Sequence, residues 1–160
     1  MNRLTKKLDE LQKQNKKALV AYLVAGDPDL DSTLDIMHMF VKSGVDIIEV
    51  GVPFTDPIAE GPIIQRAHDR AITKKTSLED IYELITKFRL KDNETPVVLM
   101  GYLNSFIFFR NLIEENKNNS VDSILVVDIP GELNIEDYGI KNENINTISL
   151  ISPTTKEDRI

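Results

Sequence analysis

Residues 47–62 read IIEVGVPFTDPIAEGP, and this stretch gives the clearest indication of the fold. It begins as an apolar strand and continues as a loop that contains three prolines. Glu49 stands inside the strand, and a second acid, Glu60, stands near the end of the loop. The question is whether the two carboxylates perform chemistry or whether one of them is a solvated residue without a role.

Glu49 has two interpretations. In the first, it lies near the frayed end of a strand and is solvated or paired with a lysine. In the second, its apolar neighbours mean that the strand is covered by helices outside and by core inside. Burial disfavours the charged form of a carboxyl group and raises its pKa towards neutrality. Because such a group suits acid or base catalysis, we favour the second interpretation.

The rest of the chain alternates apolar runs with helical patterns. Predicted strands occupy residues 18–24, 45–50, 96–101, 123–128 and 146–152. Near-continuous apolar runs of this length, each followed by turn residues, are typical of strands buried on both faces.

Helix signals lie between the predicted strands. They are a stripe of Leu4, Leu8 and Leu11 in an N-terminal helix, a cap at Asp31 or Ser32, an ending at Ser43-Gly44, Pro62 at a first helical position, a capping box of Ser77 and Asp80, a helix over 104–116, a weakly indicated helix over 131–144, and a capped helix that begins at Thr155 with Asp158.

Strands that alternate with helices in this way predict parallel βα units and an α/β fold. A (β/α)8 TIM barrel needs roughly 200 or more residues, and this chain of 160 supplies about five strands. We therefore expect one domain over residues 1–160, an incomplete barrel of about five parallel βα units with an extra N-terminal helix and without the last three units. In such folds the loops after the strands carry the chemistry.

Composition limits the functions that the protein can perform. The net charge of −7 argues against nucleic acid as a partner. The chain has no cysteine, and His38 and His68 are its only histidines, so we expect neither thiol chemistry nor a metal site. Since no apolar run reaches membrane-spanning length and the first residues lack the apolar core of a signal peptide, we expect no membrane partner and a cytoplasmic location.

Several other residues have structural interpretations. Glu60 and Asp56, taken alone, are more often solvated loop residues, and an aspartate before a proline also favours a turn. Asp128, at the end of a strand, is either a turn former or an anchor for a loop. Three aromatic residues are expected in the core of a helix: Phe106, Phe108 and Phe109.

The stretch around Glu49 and Glu60 also resembles one family closely. Extended to IIEVGVPFTDPIAEGPIIQRA, it is similar to a segment of the tryptophan synthase alpha subunit. The resemblance continues in order along the chain, through AYLVAGDPD, VVLMGYLNSFI, VDSILVVDIP and LISPTTKEDRI. Five ordered motifs at matching spacing are a specific signature, and GVPFTDPIAEGP argues against another phosphate-binding barrel lyase or isomerase.

The resemblance implies a (β/α)8 barrel that cleaves indole-3-glycerol phosphate to indole and glyceraldehyde 3-phosphate. It implies that Glu49 is the catalytic proton donor and acceptor, and that Glu60 replaces the aspartate that the family places beside the indole N–H. It further implies a substrate pocket of Tyr22, Met100 and Leu125 and a surface for subunit coupling formed by Pro53, Phe54 and Asp56. The partner that the resemblance implies is the beta subunit of an α2β2 tetramer, which holds pyridoxal phosphate, so no cofactor is expected in this chain.

The sixth to eighth βα units of the family have no counterpart in residues 1–160. Those units carry a tyrosine near the catalytic glutamate and the glycine-rich turns that bind the phosphate. Two hypotheses therefore stay open. The chain is either part of a lyase of tryptophan biosynthesis, or a non-catalytic relative that only docks on or modulates the beta subunit.

Overall fold

Five parallel strands form one sheet in the order in which they occur along the chain. The computed structural model describes residues 2–116, 119–130, 133–141 and 143–159. Its strands are β1 (Val20–Val24), β2 (Ile47–Gly51), β3 (Val97–Gly101), β4 (Ser123–Val126) and β5 (Asn146–Ile148). Because each strand pairs in parallel with the next, the prediction of consecutive parallel βα units is confirmed.

Helices precede and connect the strands. They are α1 (Arg3–Lys13), α2 (Leu30–Lys42), α3 (Pro62–Thr73), α4 (Leu78–Arg89), α5 (Leu103–Phe108) and α6 (Arg110–Glu115), with short 3-10 helices at Ile135–Tyr138 and Glu157–Arg159. Within the described parts of the chain, no helix is both long enough and apolar enough to cross a membrane.

Local signals set the ends of the longer helices. The capping box predicted for α4 is confirmed, since the side chains of Ser77 and Asp80 each accept a bond from the other residue's backbone N–H. Pro62 occupies the first turn of α3, as predicted. The predicted end of α2 is also confirmed, because Ser43 is its C-cap and Gly44 follows with a left-handed φ of +86°.

The predicted start of α2 is wrong. The N-cap is Asp29, not Asp31 or Ser32. Asp29 has an extended backbone, and its carboxylate accepts a hydrogen bond of 2.7 Å from the backbone N–H of Ser32. An N-cap side chain bonds the amide two or three positions later, so this geometry selects the earlier aspartate.

The two faces of the sheet bury different clusters, because successive side chains of a strand point to opposite faces. On the outer face, strand residues pack against helical side chains; members of this cluster are Ile48, Val50, Leu99, Ile124, Leu84, Ile85 and Phe88. On the inner face, a smaller cluster contains Leu4 of α1 with Ile47, Val98 and Leu125. Helix α1 therefore covers the amino end of the inner face.

The first strand is less buried than predicted. Val20 in β1 is 49% exposed, and Leu19 just before it is 55% exposed. The reason is its place in the sheet: β1 pairs with β2 only, so within the described residues one edge of β1 has no neighbouring strand. A continuous apolar run predicts burial on both faces only where strands lie on both sides.

The second half of the chain differs more from the sequence prediction. The helix predicted over 104–116 is two helices, α5 and α6, separated at Phe109, whose backbone leaves the helical region. Phe106 is buried, as predicted for helix core, and Phe109 is half-buried. Phe108 is 81% exposed, because two positions after Phe106 it lies on the opposite side of α5.

The last predicted elements are shorter than expected. Part of the segment 131–144, residues 131, 132 and 142, lies outside the described residues, and the helix seen there is the 3-10 helix Ile135–Tyr138. The strand predicted over 146–152 ends at Ile148. The Thr155 hydroxyl accepts a bond of 3.0 Å from the backbone N–H of Ser152, and the helix that follows is the short 3-10 helix Glu157–Arg159.

Candidate active site

Glu49 is half-buried in the middle of β2. In the register of the sheet it lies between Tyr22 of β1 and Val98 of β3. It shares a face with Ile47, two residues earlier, and Ile47 belongs to the inner cluster. Burial raises the pKa of the Glu49 carboxyl above its ordinary value of 4.5, in the direction that the sequence predicts.

The three residues assigned to the substrate pocket lie on the same face as Glu49. Tyr22 pairs with Glu49 itself, and Met100 pairs with Gly51 and with Leu125. In-register neighbours in parallel strands point to the same side of the sheet. Met100 and Leu125 are part of the inner apolar cluster or pack against it, so Glu49 has apolar neighbours towards the carboxyl ends of β3 and β4.

The Tyr22 hydroxyl is buried and has no hydrogen-bond partner among the described residues. Its ring lies across Gly51, where an added Cβ would be 2.3 Å from the hydroxyl oxygen. Burial raises the pKa of Tyr22, and the negative charges of Glu60 and Glu49 raise it further. The phenol therefore stays neutral and can donate a hydrogen bond to a bound molecule.

Glu60 is not the solvated loop residue that its position alone suggests. Its side chain is only 8% exposed, and it accepts a hydrogen bond from the hydroxyl of Tyr102. Its backbone carbonyl accepts a bond of 2.8 Å from the Gln65 side chain in the first turns of α3. The end of the loop is therefore fixed against both α3 and the residue that follows β3.

Tyr102 was not singled out from the sequence as a site residue. It follows β3 directly and is 2% exposed. Its hydroxyl donates to Glu60 and accepts a bond of 3.0 Å from the backbone N–H of Ala59. Burial and the hydrogen bond to Glu60 raise the pKa of Tyr102 to about 12. The available signal was its place at the carboxyl end of a parallel strand, where sites concentrate.

His68 is the second residue that sequence reasoning missed. It lies in α3 and its side chain is 1% exposed. Its Nδ1 accepts a hydrogen bond of 3.1 Å from the backbone N–H of Phe54, and its Nε2 is 3.8 Å from Oε1 of Glu60. Burial lowers the pKa of His68, opposed by the negative charges of Glu60 and Asp69. No sequence signal distinguishes it from an ordinary core histidine.

The three residues assigned to subunit coupling lie in the same loop. Pro53 and Phe54 are half-buried, whereas Asp56 is exposed. The Phe54 ring stacks on Tyr102, with 4.6 Å between the ring centroids and 17° between the planes. The loop that could meet a partner is therefore in direct contact with a residue that binds Glu60.

Two further acids serve as loop anchors. Asp128 accepts a hydrogen bond of 2.7 Å from the backbone N–H of Leu103, so of the two interpretations open for it the anchor is the observed one. Asp27 receives two bonds from Arg70 of α3, at 2.7 and 2.8 Å. These contacts hold the loops after β1 and β4.

The arrangement suits proton transfer. Glu49 is a carboxyl group of raised pKa beside apolar side chains, and Glu60 is a second carboxylate fixed by hydrogen bonds. Among the described residues, no group of three or more histidines and acids could hold a metal ion. The site defines the class of protein: a parallel βα protein whose candidate active site extends from the middle of β2 towards the carboxyl ends of the strands.

Comparison with known proteins identifies the family. The family model for the tryptophan synthase alpha chain matches residues 8–160. The alpha chain of Nitrosomonas europaea is 43% identical over 163 residues, which span all of this chain and 59% of that protein. The alpha chain of Neisseria meningitidis is 48% identical over 147 residues, 90% of this chain and 56% of that protein.

Solved structures agree with the sequence matches. The alpha subunit of Legionella pneumophila superposes with a TM-score of 0.88 at 39% identity, over 99% of this chain and 62% of that one. The tryptophan synthase complex of Pyrococcus furiosus gives a TM-score of 0.78 at 38% identity, over 89% of this chain and 59% of that one.

The chain therefore belongs to the tryptophan synthase alpha chain family. Its five parallel strands correspond to part of the TIM barrel of that family, which confirms the expected fold class. The chain spans about three fifths of the length of the relatives that it matches.

Proposed function

We propose that the chain provides the first five βα units of a lyase active site that cleaves indole-3-glycerol phosphate to indole and glyceraldehyde 3-phosphate. The observation that carries the proposal is Glu49, a half-buried carboxyl group of raised pKa. It shares its face of the sheet with Tyr22, Met100 and Leu125, which supply an apolar surface for an indole ring. Membership of the family supports the substrate and the role in tryptophan biosynthesis.

In the proposed retro-aldol step, Glu49 gives a proton and then takes one. As an acid, it protonates the indole ring carbon that carries the glycerol phosphate chain, and a cationic ring results. The Glu49 carboxylate then accepts the proton of the hydroxyl on the adjacent chain carbon. The bond between ring and chain breaks, its electron pair returns to the ring, and the hydroxyl carbon becomes the aldehyde. One carboxyl group of raised pKa can perform both transfers in sequence.

Glu60 stabilises the cationic ring in this proposal. A fixed anion near the indole N–H lowers the energy of a positive charge that develops in the ring. Tyr102 holds the Glu60 carboxylate, and the side chain is buried, so water screens the charge little.

The proposed partner is the beta subunit, which holds pyridoxal phosphate, in a cytoplasmic α2β2 assembly. A structure from Pyrococcus furiosus describes mutual activation in its tryptophan synthase α2β2 complex. In this chain, Asp56 is exposed in the loop after β2, and Pro53 and Phe54 lie beside it. We propose that these three residues contact the beta subunit.

The proposal is tested with a full-length version, in which the remaining part of the Legionella pneumophila relative follows residue 160. We expect it to release indole from indole-3-glycerol phosphate and the 160-residue chain alone to release none. Glu49→Gln in the full-length version should lower the rate by about 10²- to 10⁴-fold, because general acid–base catalysis contributes that much. The matched control is Glu94→Gln, at an exposed carboxylate that pairs with Lys6. A Glu49→Gln variant with the full rate would overturn the proposal.

Glutamate at position 60 is expected to support a lower rate than the aspartate of the family. The additional methylene moves the carboxylate by about an ångström, and errors of that size cost on the order of 10²-fold in rate. Glu60→Asp in the full-length version should therefore raise the indole-forming rate. An unchanged or lower rate would show that Glu60 is already placed for the reaction.

A second function is a non-catalytic one, in which the chain docks on the beta subunit and modulates it. The observation that favours it is the loop 53–56, which lies at the carboxyl end of the sheet in a chain that spans about three fifths of its relatives. Indole release with and without the beta subunit separates the two functions. Docking alone would be favoured if the 160-residue chain stimulated the beta subunit without releasing indole. The stimulation should then be equal for wild type and Glu49→Gln.

A further inference from the structure

A closed ring of contacts among four residues links the start of the loop after β2 to Glu60 at its end. Phe54 contacts His68 through its backbone N–H and Tyr102 through its ring. His68 and Tyr102 each approach one of the two carboxylate oxygens of Glu60. Both oxygens of the second acid are therefore faced by side chains that are themselves held by Phe54.

The contacts of His68 determine which of its nitrogens carries the proton. Nδ1 accepts the hydrogen bond from the Phe54 backbone N–H at 3.1 Å, so Nδ1 holds a lone pair. In a neutral imidazole one nitrogen accepts and the other donates, so the hydrogen lies on Nε2. Burial lowers the pKa of His68, which keeps the ring neutral at pH 7.

The Nε2 atom of His68 lies close to the Glu60 carboxylate. Nε2 is buried and makes no hydrogen bond among the described residues, and it is 3.8 Å from Oε1 of Glu60. This distance is too long for a hydrogen bond. It is short enough for the N–H dipole and the carboxylate to attract each other, because both are buried and water does not screen them. The N–H dipole therefore attracts Oε1, while the Tyr102 hydroxyl binds Oε2.

We propose that His68 is a positioning residue for Glu60, whose Nε2–H orients the Oε1 atom while Tyr102 holds Oε2. A glutamate side chain has one more rotatable bond than an aspartate, so a second contact is needed to fix the direction of its carboxylate. His68 supplies this contact from α3, and the Phe54 N–H sets the tautomer that makes it possible. The role in catalysis rests on the proposed function of Glu60, whereas the contact itself does not.

The contact is tested first by nitrogen NMR of the imidazoles in the 160-residue chain, which has two histidines. We expect a neutral His68 with its proton on Nε2 at pH 7. The charged groups that raise its pKa are Glu60, from the loop, and Asp69, from α3. Glu60→Gln should therefore lower the pKa of His68 further, because it removes the negative charge that raises this pKa most. His38 is the internal control, and its pKa should not change in Glu60→Gln. Glu94→Gln is the matched control, and it should leave the spectrum of His68 unchanged.

Two results would overturn the proposal: a proton on Nδ1 of His68, or a His68 pKa that Glu60→Gln leaves unchanged. If Glu60→Gln prevents folding, two other measurements test the proposal. They are the tautomer of His68 in the wild-type chain and the pKa of His68 in Tyr102→Phe. Tyr102→Phe releases Oε2, so we expect it to change the pKa of His68 as well. An unchanged pKa there would also contradict the ring of contacts.

The consequence for catalysis is tested in the full-length version. His68→Leu removes the N–H, and we expect kcat to fall by about 10-fold with little change in KM, in line with the cost of a misplaced group. His68→Gln retains an N–H donor and should recover most of the loss. Equal loss in both variants would mean that His68 only fills space and would overturn the positioning role. If the wild-type full-length version releases no indole, the proposed function fails while the NMR result still stands.

Discussion

Two carboxylates of the sheet, the buried Asp122 and the half-buried Glu49, differ in their surroundings. Asp122, before β4 at the amino end, is 1% exposed and receives bonds from Arg3 at 3.1 Å, from Arg89 at 2.9 Å and from the Val97 backbone N–H at 2.9 Å. Glu49, in β2, has no ion pair among the described residues and lies beside apolar side chains and the unpartnered hydroxyl of Tyr22. One carboxylate is fully satisfied, and the other is not.

The difference separates structure from chemistry. A buried charge that is paired and hydrogen-bonded holds elements together, and Asp122 joins α1, α4 and β3 in this way. A buried carboxyl group without a partner has a raised pKa and can exchange protons.

The largest loss of stability is expected from Asp122→Asn, which removes the carboxylate that is paired and hydrogen-bonded. Arg89 is buried, and burial lowers its pKa to about 10 although Asp122 raises it. Removing the carboxylate leaves this guanidinium without its counter-charge, and breaking a buried pair costs about 3–5 kcal/mol. Urea unfolding of the 160-residue chain measures the loss. Glu94→Gln, at an exposed pair, should cause no measurable change; equal effects of the two variants would contradict the structural role of Asp122.

A smaller effect is expected from Glu49→Gln, and its sign depends on pH. Because the pKa of Glu49 is raised in the folded chain, the folded state holds its proton more tightly than the unfolded state. Glu49 therefore contributes stability below its ordinary value of 4.5, and this contribution is lost as the pH rises through the raised pKa. Glutamine does not ionise, so the stability of the variant relative to wild type should increase with pH over this window.

Unfolding curves at several pH values test this prediction. Glu94→Gln serves again as the control with the same chemical change at an exposed position. A relative stability of Glu49→Gln that decreases as the pH rises would mean that Glu49 has a cationic partner, and the contrast with Asp122 would disappear.

The smallest effect on stability is expected from Tyr22→Phe, which compares two tyrosine hydroxyls of the site, those of Tyr22 and Tyr102. The Tyr22 hydroxyl has no hydrogen-bond partner in the part of the chain that the structure describes, so its removal should leave the free energy of unfolding within about 1 kcal/mol of wild type or raise it slightly. Tyr102→Phe is the matched contrast, since that hydroxyl binds Glu60 and the Ala59 N–H. Its loss should cost about 1.5–3 kcal/mol, as for hydrogen bonds to charged groups. Thermal unfolding of both variants measures the difference, and equal losses would contradict it.

The first half of the fold could be predicted from sequence in some detail. The strands β2 and β3, the capping box of α4 and the glycine after α2 are set by neighbours within a few residues. The last part was predicted less well. The pattern after residue 131 is weak, because its glycine and asparagines suit turns as well as helices. The apolar pattern of 104–116 predicts one helix and does not indicate the break at Phe109.

The sequence by itself determined the parallel βα order, the family and the place of Glu49 in an apolar strand, because periodicity and motifs are local properties of the chain. The burial and the hydrogen-bond partner of Glu60 became apparent only from the tertiary structure. Its burial depends on Tyr102, which is 42 residues away in the chain, and on a histidine of α3 that resembles any core residue in the sequence. Such contacts depend on how a loop folds over the ends of two strands, and no local pattern records that path.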